Sequence, residues 1–193
     1  MLMSITGRLG SGKSTVCNIL KERYGFQIYS TGAVQREYAR GLGISTLELN
    51  QRMAEHPNLD AEIDNMVTRI SIERHDEKLI FDSRMAWHFA KDTFKIFLTI
   101  EPEEAACRVM KNQRGDEEKY ECIDEACMKL VERSRIERAR FKDIYGVDYY
   151  DYNNFNIVID TTTKTPDEVV ALIVDNHAKY LENPEEYNTP HIF

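Results

Sequence analysis

An α/β fold with a parallel sheet and right-handed crossovers is predicted by two observations: short apolar runs alternate with helical stretches, and a glycine-rich phosphate motif sits at the first junction between them. Five runs, residues 2–6, 26–30, 79–83, 95–100 and 156–160, are rich in Ile, Leu, Phe and Val. They lack a clean apolar/polar alternation, as strands covered on both faces do. Helical stretches over 12–24, 31–40, 46–74, 103–113, 123–145 and 166–181 fall between and after them, the last with Pro166 near its first turn.

Two segments are longer than a simple crossover needs. Residues 41–75 could cover a substrate, and the charged stretch 111–145 has the length and polarity of a lid. The tail, 183–193, holds two prolines and little periodicity, and is expected to be a docked or frayed end.

The chain has 193 residues, 42% hydrophobic and 30% charged, which suits one soluble globular domain over 1–193. No apolar run approaches the roughly 20 residues that span a bilayer. MLMSIT runs straight into the phosphate motif, so no signal peptide is expected and a cytoplasmic location is the default. Cys17, Cys107, Cys122 and Cys127 form no CxxC pair, against zinc or disulfide frameworks. A net charge of −8 argues against nucleic acid as a partner, and means that an anionic substrate needs a local cluster of Arg and Lys. Small-molecule substrates, no membrane and a monomer are the expectations.

The stretch ITGRLGSGKST matches GxxxxGK[ST] through Gly7, Gly12, Lys13 and Ser14. Gly7, Gly10 and Gly12 let successive N–H groups point at one anion, and the helix that follows adds its positive end. Residues Gly7, Arg8, Leu9, Gly10, Ser11, Gly12, Lys13, Ser14 and Thr15 are therefore the candidate cradle for ATP. Lys13 would reach the β- and γ-phosphates, and Ser14 would ligate Mg²⁺. Asp82 ends the run LIFD and fits either a role beside that Mg²⁺, direct or through water, or a strand-end turn. No NKxD, HRD or DFG string occurs, which disfavours a GTPase and excludes a protein kinase.

Phosphoryl transfer needs positive charge on the donor and acceptor sides. Arginines stand at four places: Arg36 in STGAVQR, Arg84 in FDSR, Arg108, and the group Arg133, Arg135, Arg138 and Arg140 in VERSRIERARF. Positions 133 and 140 share one helix face, and 135 and 138 another. Periodicity alone favours a solvated helix with ion pairs to Glu132 and Glu137.

These strings, with PNLDAEIDNM, FDSRMAWHF, FKIFLTIEPEEAACRVM and RSRIERARFKDIYGVDYYDYNNFNIVIDTT, resemble the cytidylate kinase family over nearly the whole chain, most closely its short, archaeal-type branch. The resemblance implies a P-loop fold with a five-stranded parallel sheet ordered 2-3-1-4-5. It implies transfer of the ATP γ-phosphate to CMP or dCMP. By position in the family pattern, Thr31 and Arg36 hold the acceptor, Arg84 grips its phosphate, and Arg133 and Arg140 are lid arginines. Arg108 stacks on adenine, with Thr161 and Thr162 in the adenine-side loop. Arg135 and Arg138 gain no role. Ser83 replaces the usual glycine of the family, Met85 replaces an acid that reads cytosine in larger members, and the cytosine-binding insert of those members is missing. Asp60 and Asp64 fit two readings, acceptor-binding acids or helix-surface acids.

No catalytic histidine is expected, because a monophosphate oxygen is already anionic. His56, His75, His88, His177 and His191 are scattered. Two rivals remain open: a kinase of this fold for another small acceptor, with Asp82 as base for a hydroxyl, and a non-catalytic nucleotide-binding regulator.

Overall fold

The computed structural model describes residues 1–44, 48–49, 52, 57–111 and 120–193, with the side chains of 34, 36–38 and 57–63 left aside. β1 (Leu2–Gly7) leads through the phosphate loop into α1 (Lys13–Tyr24), and β2 (Gln27–Ser30) leads into α2 (Thr31–Leu42). Ser30 caps α2 by accepting the Ala33 N–H, which satisfies a donor the helix itself cannot. α3 (Pro57–Glu73) precedes β3 (Leu79–Asp82), and a one-turn helix α4 (Ala86–Phe89) separates it from β4 (Phe94–Thr99). α5 (Pro102–Lys111) and α6 (Ile123–Tyr145) pack on each other before β5 (Ile157–Asp160) and α7 (Pro166–Glu182). A reciprocal Thr165–Glu168 capping box starts α7, with Pro166 in its first turn as expected.

The sheet is parallel throughout and ordered β2-β3-β1-β4-β5-β6. The first five positions follow the order 2-3-1-4-5. The sixth strand is a correction: β6 (His191–Ile192) comes from the tail and pairs with β5. His191 N–H donates to Asn156 O at 3.0 Å and Phe193 N–H to Val158 O at 2.9 Å. Tyr187 anchors the approach, its buried hydroxyl donating to Asn176 Oδ1 at 3.0 Å. A two-residue strand that follows directly on Pro190 carries no period, so the sequence pattern could not announce it.

Other boundaries shift by a residue or two, and α4 is an addition: four residues are too few for a helical pattern to register. The predicted helix over 46–74 is seen as α3 and as helical positions 48–49 and 52; 45–47, 50–51 and 53–56 lie outside the described residues. The expected lid, 111–145, is seen as α6 and the segment leading into it, with 112–119 outside the described residues.

Both faces of the sheet are buried, which explains the missing alternation. On β4, Phe94, Ile96 and Leu98 join the core beneath α1 and α7, whereas Phe97 joins Met85, Phe141, Tyr149 and Phe155 on the opposite face. Ile157 and Ile159 split from Val158 in the same way on β5. Phe97 is fully buried, with its ring 5.0 Å from that of Phe155 and 5.3 Å from that of Tyr152. Phe97→Ala is expected to cost about 3–5 kcal/mol of stability, read as a lower urea midpoint at unchanged slope.

Candidate active site

The phosphate loop is held by two close approaches that only glycine allows. A Cβ on Gly7, at φ +155°, would lie 2.3 Å from Leu98 O, and one on Gly10, at φ +78°, would lie 2.8 Å from the Ala105 Cβ. The loop is therefore clamped between β4 and α5. Lys13 projects back across it, its Nζ donating to Gly7 O at 3.1 Å and Arg8 O at 3.2 Å. Burial and the nearby Arg84 guanidinium pull its pKa down to about 7, outweighing the opposite pull of Asp82 and Glu137.

A cavity of about 440 Å³ opens at the C-terminal ends of β1, β2 and β3, where ligands bind in sheets of this kind. Its donor wall is the loop from Leu9 to Thr15, including Lys13 and Ser14. Asp82 lies on the floor and accepts a hydrogen bond from Ser30 Oγ at 3.0 Å. Thr31, Asp64 and Arg84 complete the lining from α2, α3 and the end of β3, and α6 adds Arg133, Glu137 and Arg140.

Glu137 organises these cations. Its Oε2 accepts from Arg84 Nε at 3.0 Å and its Oε1 from Arg133 Nε at 3.0 Å. Arg84 also donates through Nη1 to Gly7 O at 2.8 Å, so one side chain links β3, the phosphate loop and α6. Burial pushes the Glu137 pKa up, but Arg84 and Arg133 outweigh it and hold the carboxyl down at about 2. The same carboxylate raises the pKa of Arg84, against the effect of burial.

On the donor side, Arg108 is propped by acceptors on α5 and on the loop after β5. Its Nε donates to Glu104 at 2.8 Å, and its Nη2 to the carbonyls of Thr161 and Thr162 at 2.6 and 3.2 Å. The Thr161 hydroxyl lies 3.1 Å from Ser11 O, tying this loop to the phosphate loop. Thr161 and Thr162 thus stand behind Arg108, outside the lining of the cavity.

Several sequence expectations change here. Asp64 is buried and lines the cavity, where it accepts a hydrogen bond from the Tyr145 hydroxyl of α6; it is no helix-surface acid. Ser83 and Met85 now have a structural account. The Ser83 hydroxyl accepts the Met85 N–H at 3.3 Å, its carbonyl accepts from Thr6 Oγ1 at 2.7 Å, and buried Met85 gives the cavity an apolar wall. Arg8 leaves the cradle. Its N–H is engaged with Leu98 O at 2.9 Å, as the close pass of Gly7 over β4 requires, and its side chain turns to Tyr150. Arg135 is exposed and bonded to Glu132, as periodicity suggested, whereas Arg138 reaches Asp148. The side chains of Arg36 and Asp60 lie outside those described. Glu137 and Tyr145 were missed as site residues. The signal for Glu137 was present, since positions 133, 137 and 140 share one helix face, but a Glu four residues from an Arg reads equally as a surface pair.

A parallel sheet with a phosphate loop at its centre, facing an arginine-lined pocket under a helix, defines a P-loop kinase of the nucleoside monophosphate kinase class. The chain belongs to the cytidylate kinase-like family, whose sequence model matches residues 2–163. A cytidylate kinase of Thermoplasma volcanium is 34% identical, over all of this chain and 98% of that protein. An S-adenosylmethionine-dependent nucleotide dehydratase of Lacinutrix mariniflava is 32% identical over 92% of this chain, which spans 36% of that protein. Among solved structures, a shikimate kinase from Bacteroides thetaiotaomicron shares the fold, with TM-score 0.62 at 14% identity over 92% of this chain and 98% of that one. Among the described residues, no helix is long and apolar enough to cross a membrane.

Proposed function

We propose that the protein transfers the γ-phosphoryl group of ATP to CMP or dCMP. One observation carries this reading: a single cavity brings Lys13 and Arg84, which share the Gly7 carbonyl, together with Arg133 and Arg140 of α6, between the phosphate loop and Thr31. That is the charge distribution an in-line transfer between two phosphates needs. Cytidylate kinases matched over almost their full length support cytosine as the acceptor base.

In this reading ATP lies on residues 7–15, its adenine against Arg108 and its γ-phosphate at Lys13. The monophosphate lies between Thr31, Arg36 and Arg84, with Asp60 and Asp64 on the base side. An acceptor phosphate oxygen forms the new bond to γ-phosphorus while the bond to the β–γ bridging oxygen breaks, and ADP leaves. No strong base is required, since the attacking oxygen carries charge already. Ser14 and Asp82 line the same cavity and offer a hydroxyl and a carboxylate, hard oxygen donors that suit Mg²⁺ bound with the nucleotide. Such an ion neutralises charge on the β- and γ-phosphates. Arg133 and Arg140 stabilise the transferred group, and closure of α6 keeps out water that would hydrolyse ATP.

Tyr145 joins α6 to α3 through Asp64. Tyr145→Phe removes one hydrogen bond to a buried carboxylate, worth about 1.5–3 kcal/mol. We expect the KM for the monophosphate to rise about tenfold or more with the ATP Kd unchanged, measured by steady-state kinetics and calorimetry.

A coupled ADP-release assay over the ribo- and deoxyribonucleoside monophosphates tests the reading, with small hydroxyl compounds included. CMP or dCMP giving the highest kcat/KM is expected. Stimulation by a hydroxyl compound alone would move Asp82 to the role of base and replace the acceptor assignment.

A further inference from the structure

We propose that α6 carries a second binding site, on the face turned away from the substrate cavity, for a small anion with an apolar body. Positions 130, 133, 137 and 140 of α6 line the substrate cavity. Positions 131, 135, 138 and 142 form a separate seam, at spacings of four, three and four residues, and line a second cavity of about 560 Å³. That volume is in the range of small-molecule sites.

The chemistry of the lining selects the ligand. Four cations, Arg8, Arg135, Arg138 and Lys142, line it with one acid, Asp148, and Arg135 also pairs with Glu132 at its edge, so cations outnumber acids four to two in a chain whose net charge is −8. A concentration of positive charge against that background attracts an anion. Two of the guanidiniums are fixed in place. Arg138 donates through Nε to Asp148 Oδ1 at 2.8 Å, and its Cζ lies 5.1 Å from the centroid of the Tyr150 ring. Arg8 approaches the same ring, its Cζ at 5.4 Å, and its Nε is buried without a hydrogen-bond partner among the described residues. Asp148 takes the fork of Arg138 through Nε and Nη2, which leaves Arg8, Arg135 and Lys142 as the cations to meet an oxyanion.

Apart from Ser134 and the Tyr150 ring, the rest of the lining is apolar, with Ile100, Leu130 and Val131 its largest aliphatic side chains beside Leu9. Val131 is 52% exposed, so this wall is open to a ligand. A simple inorganic ion would leave it uncovered, which is why the ligand is assigned an apolar portion as well as a charge. Arg8, Leu9 and Leu130 border the phosphate loop or the substrate cavity, whereas Val131, Arg135, Arg138 and Lys142 have no part in phosphoryl transfer. The site is independent of which acceptor the substrate cavity takes.

The test uses 1-anilinonaphthalene-8-sulfonate, an aromatic sulfonate that fluoresces on binding, with stoichiometry measured by equilibrium dialysis. The full-length protein is expected to bind it, and Lys13→Ala is expected to bind it equally well. The double variant Arg135→Gln/Lys142→Gln removes two exposed cations and is expected to bind at least about tenfold more weakly. Circular dichroism checks that it is folded. The uncharged analogue N-phenyl-1-naphthylamine, which needs no variant, is expected to bind wild type at least about tenfold more weakly than the sulfonate. Equal affinity of the double variant and wild type, equal affinity of the charged and uncharged probes, or loss of binding in Lys13→Ala would each overturn the proposal.

Discussion

A Lys13→Ala variant is expected to fold normally and to lose kcat by about 10²–10³-fold, the effect of removing one preorganised donor aimed at developing charge. Lys13 stands at the junction of the phosphate loop and α1, and among the described residues its ammonium bonds to the carbonyls of Gly7 and Arg8. Its surroundings disfavour its charge, since burial and Arg84 are the leading influences on it. The side chain is therefore held for a bound anion rather than for the fold. The thermal midpoint of the variant is expected to match or exceed that of wild type, while turnover collapses. The KM for the acceptor is expected to change less than kcat, because Thr31 stands on α2 and not on the phosphate loop. Unchanged turnover in this variant would remove the cradle from the mechanism.

Glu137→Gln is expected to destabilise the protein by about 3–5 kcal/mol at neutral pH, the usual penalty for breaking a buried ion cluster by removing one partner. Two guanidiniums, Arg84 and Arg133, would lose the charge that compensates them. The pH dependence gives an independent check. The Glu137 carboxyl has a folded-state pKa of about 2 against an ordinary value of 4.5. A depressed carboxyl contributes stability that is fully present above about pH 4.5 and lost as pH falls towards about 2. The shift corresponds to about 3 kcal/mol, in line with the mutational figure. Urea midpoints of wild type and variant should therefore differ most above pH 5 and converge towards pH 2. Parallel curves over this range would mean that Glu137 is not ionised in the native protein. Activity should fall with stability, since Arg84 and Arg133 lose their common tether.

The scaffold was legible in the sequence because its signals are local. A strand, a glycine-rich turn and a helix are each written in consecutive residues, and GRLGSGKST needs no partner to be recognised. The sheet order required the family resemblance, because nothing local tells β4 to pair with β1 rather than β2. The sixth strand was illegible for a different reason: its two residues gain their pairing from β5 and from Tyr187 some residues earlier, not from any pattern of their own.

The site divides in the same way. Lys13, Ser14, Arg84, Arg133 and Arg140 were found, and they meet in one cavity. Glu137 and Tyr145 were missed because their importance comes from contacts across 53 and 81 positions of sequence, to Arg84 and Asp64. Arg8 was included through a motif that specifies backbone geometry and says nothing of where an intervening side chain points. In the fold it turns away, towards Tyr150.

The central claim is tested most directly by product formation. Incubating the protein with γ-labelled ATP, Mg²⁺ and CMP, and separating the nucleotides by chromatography, should show label in CDP in proportion to ADP formed. Label appearing only as inorganic phosphate, with no labelled diphosphate from any nucleoside monophosphate, would contradict it.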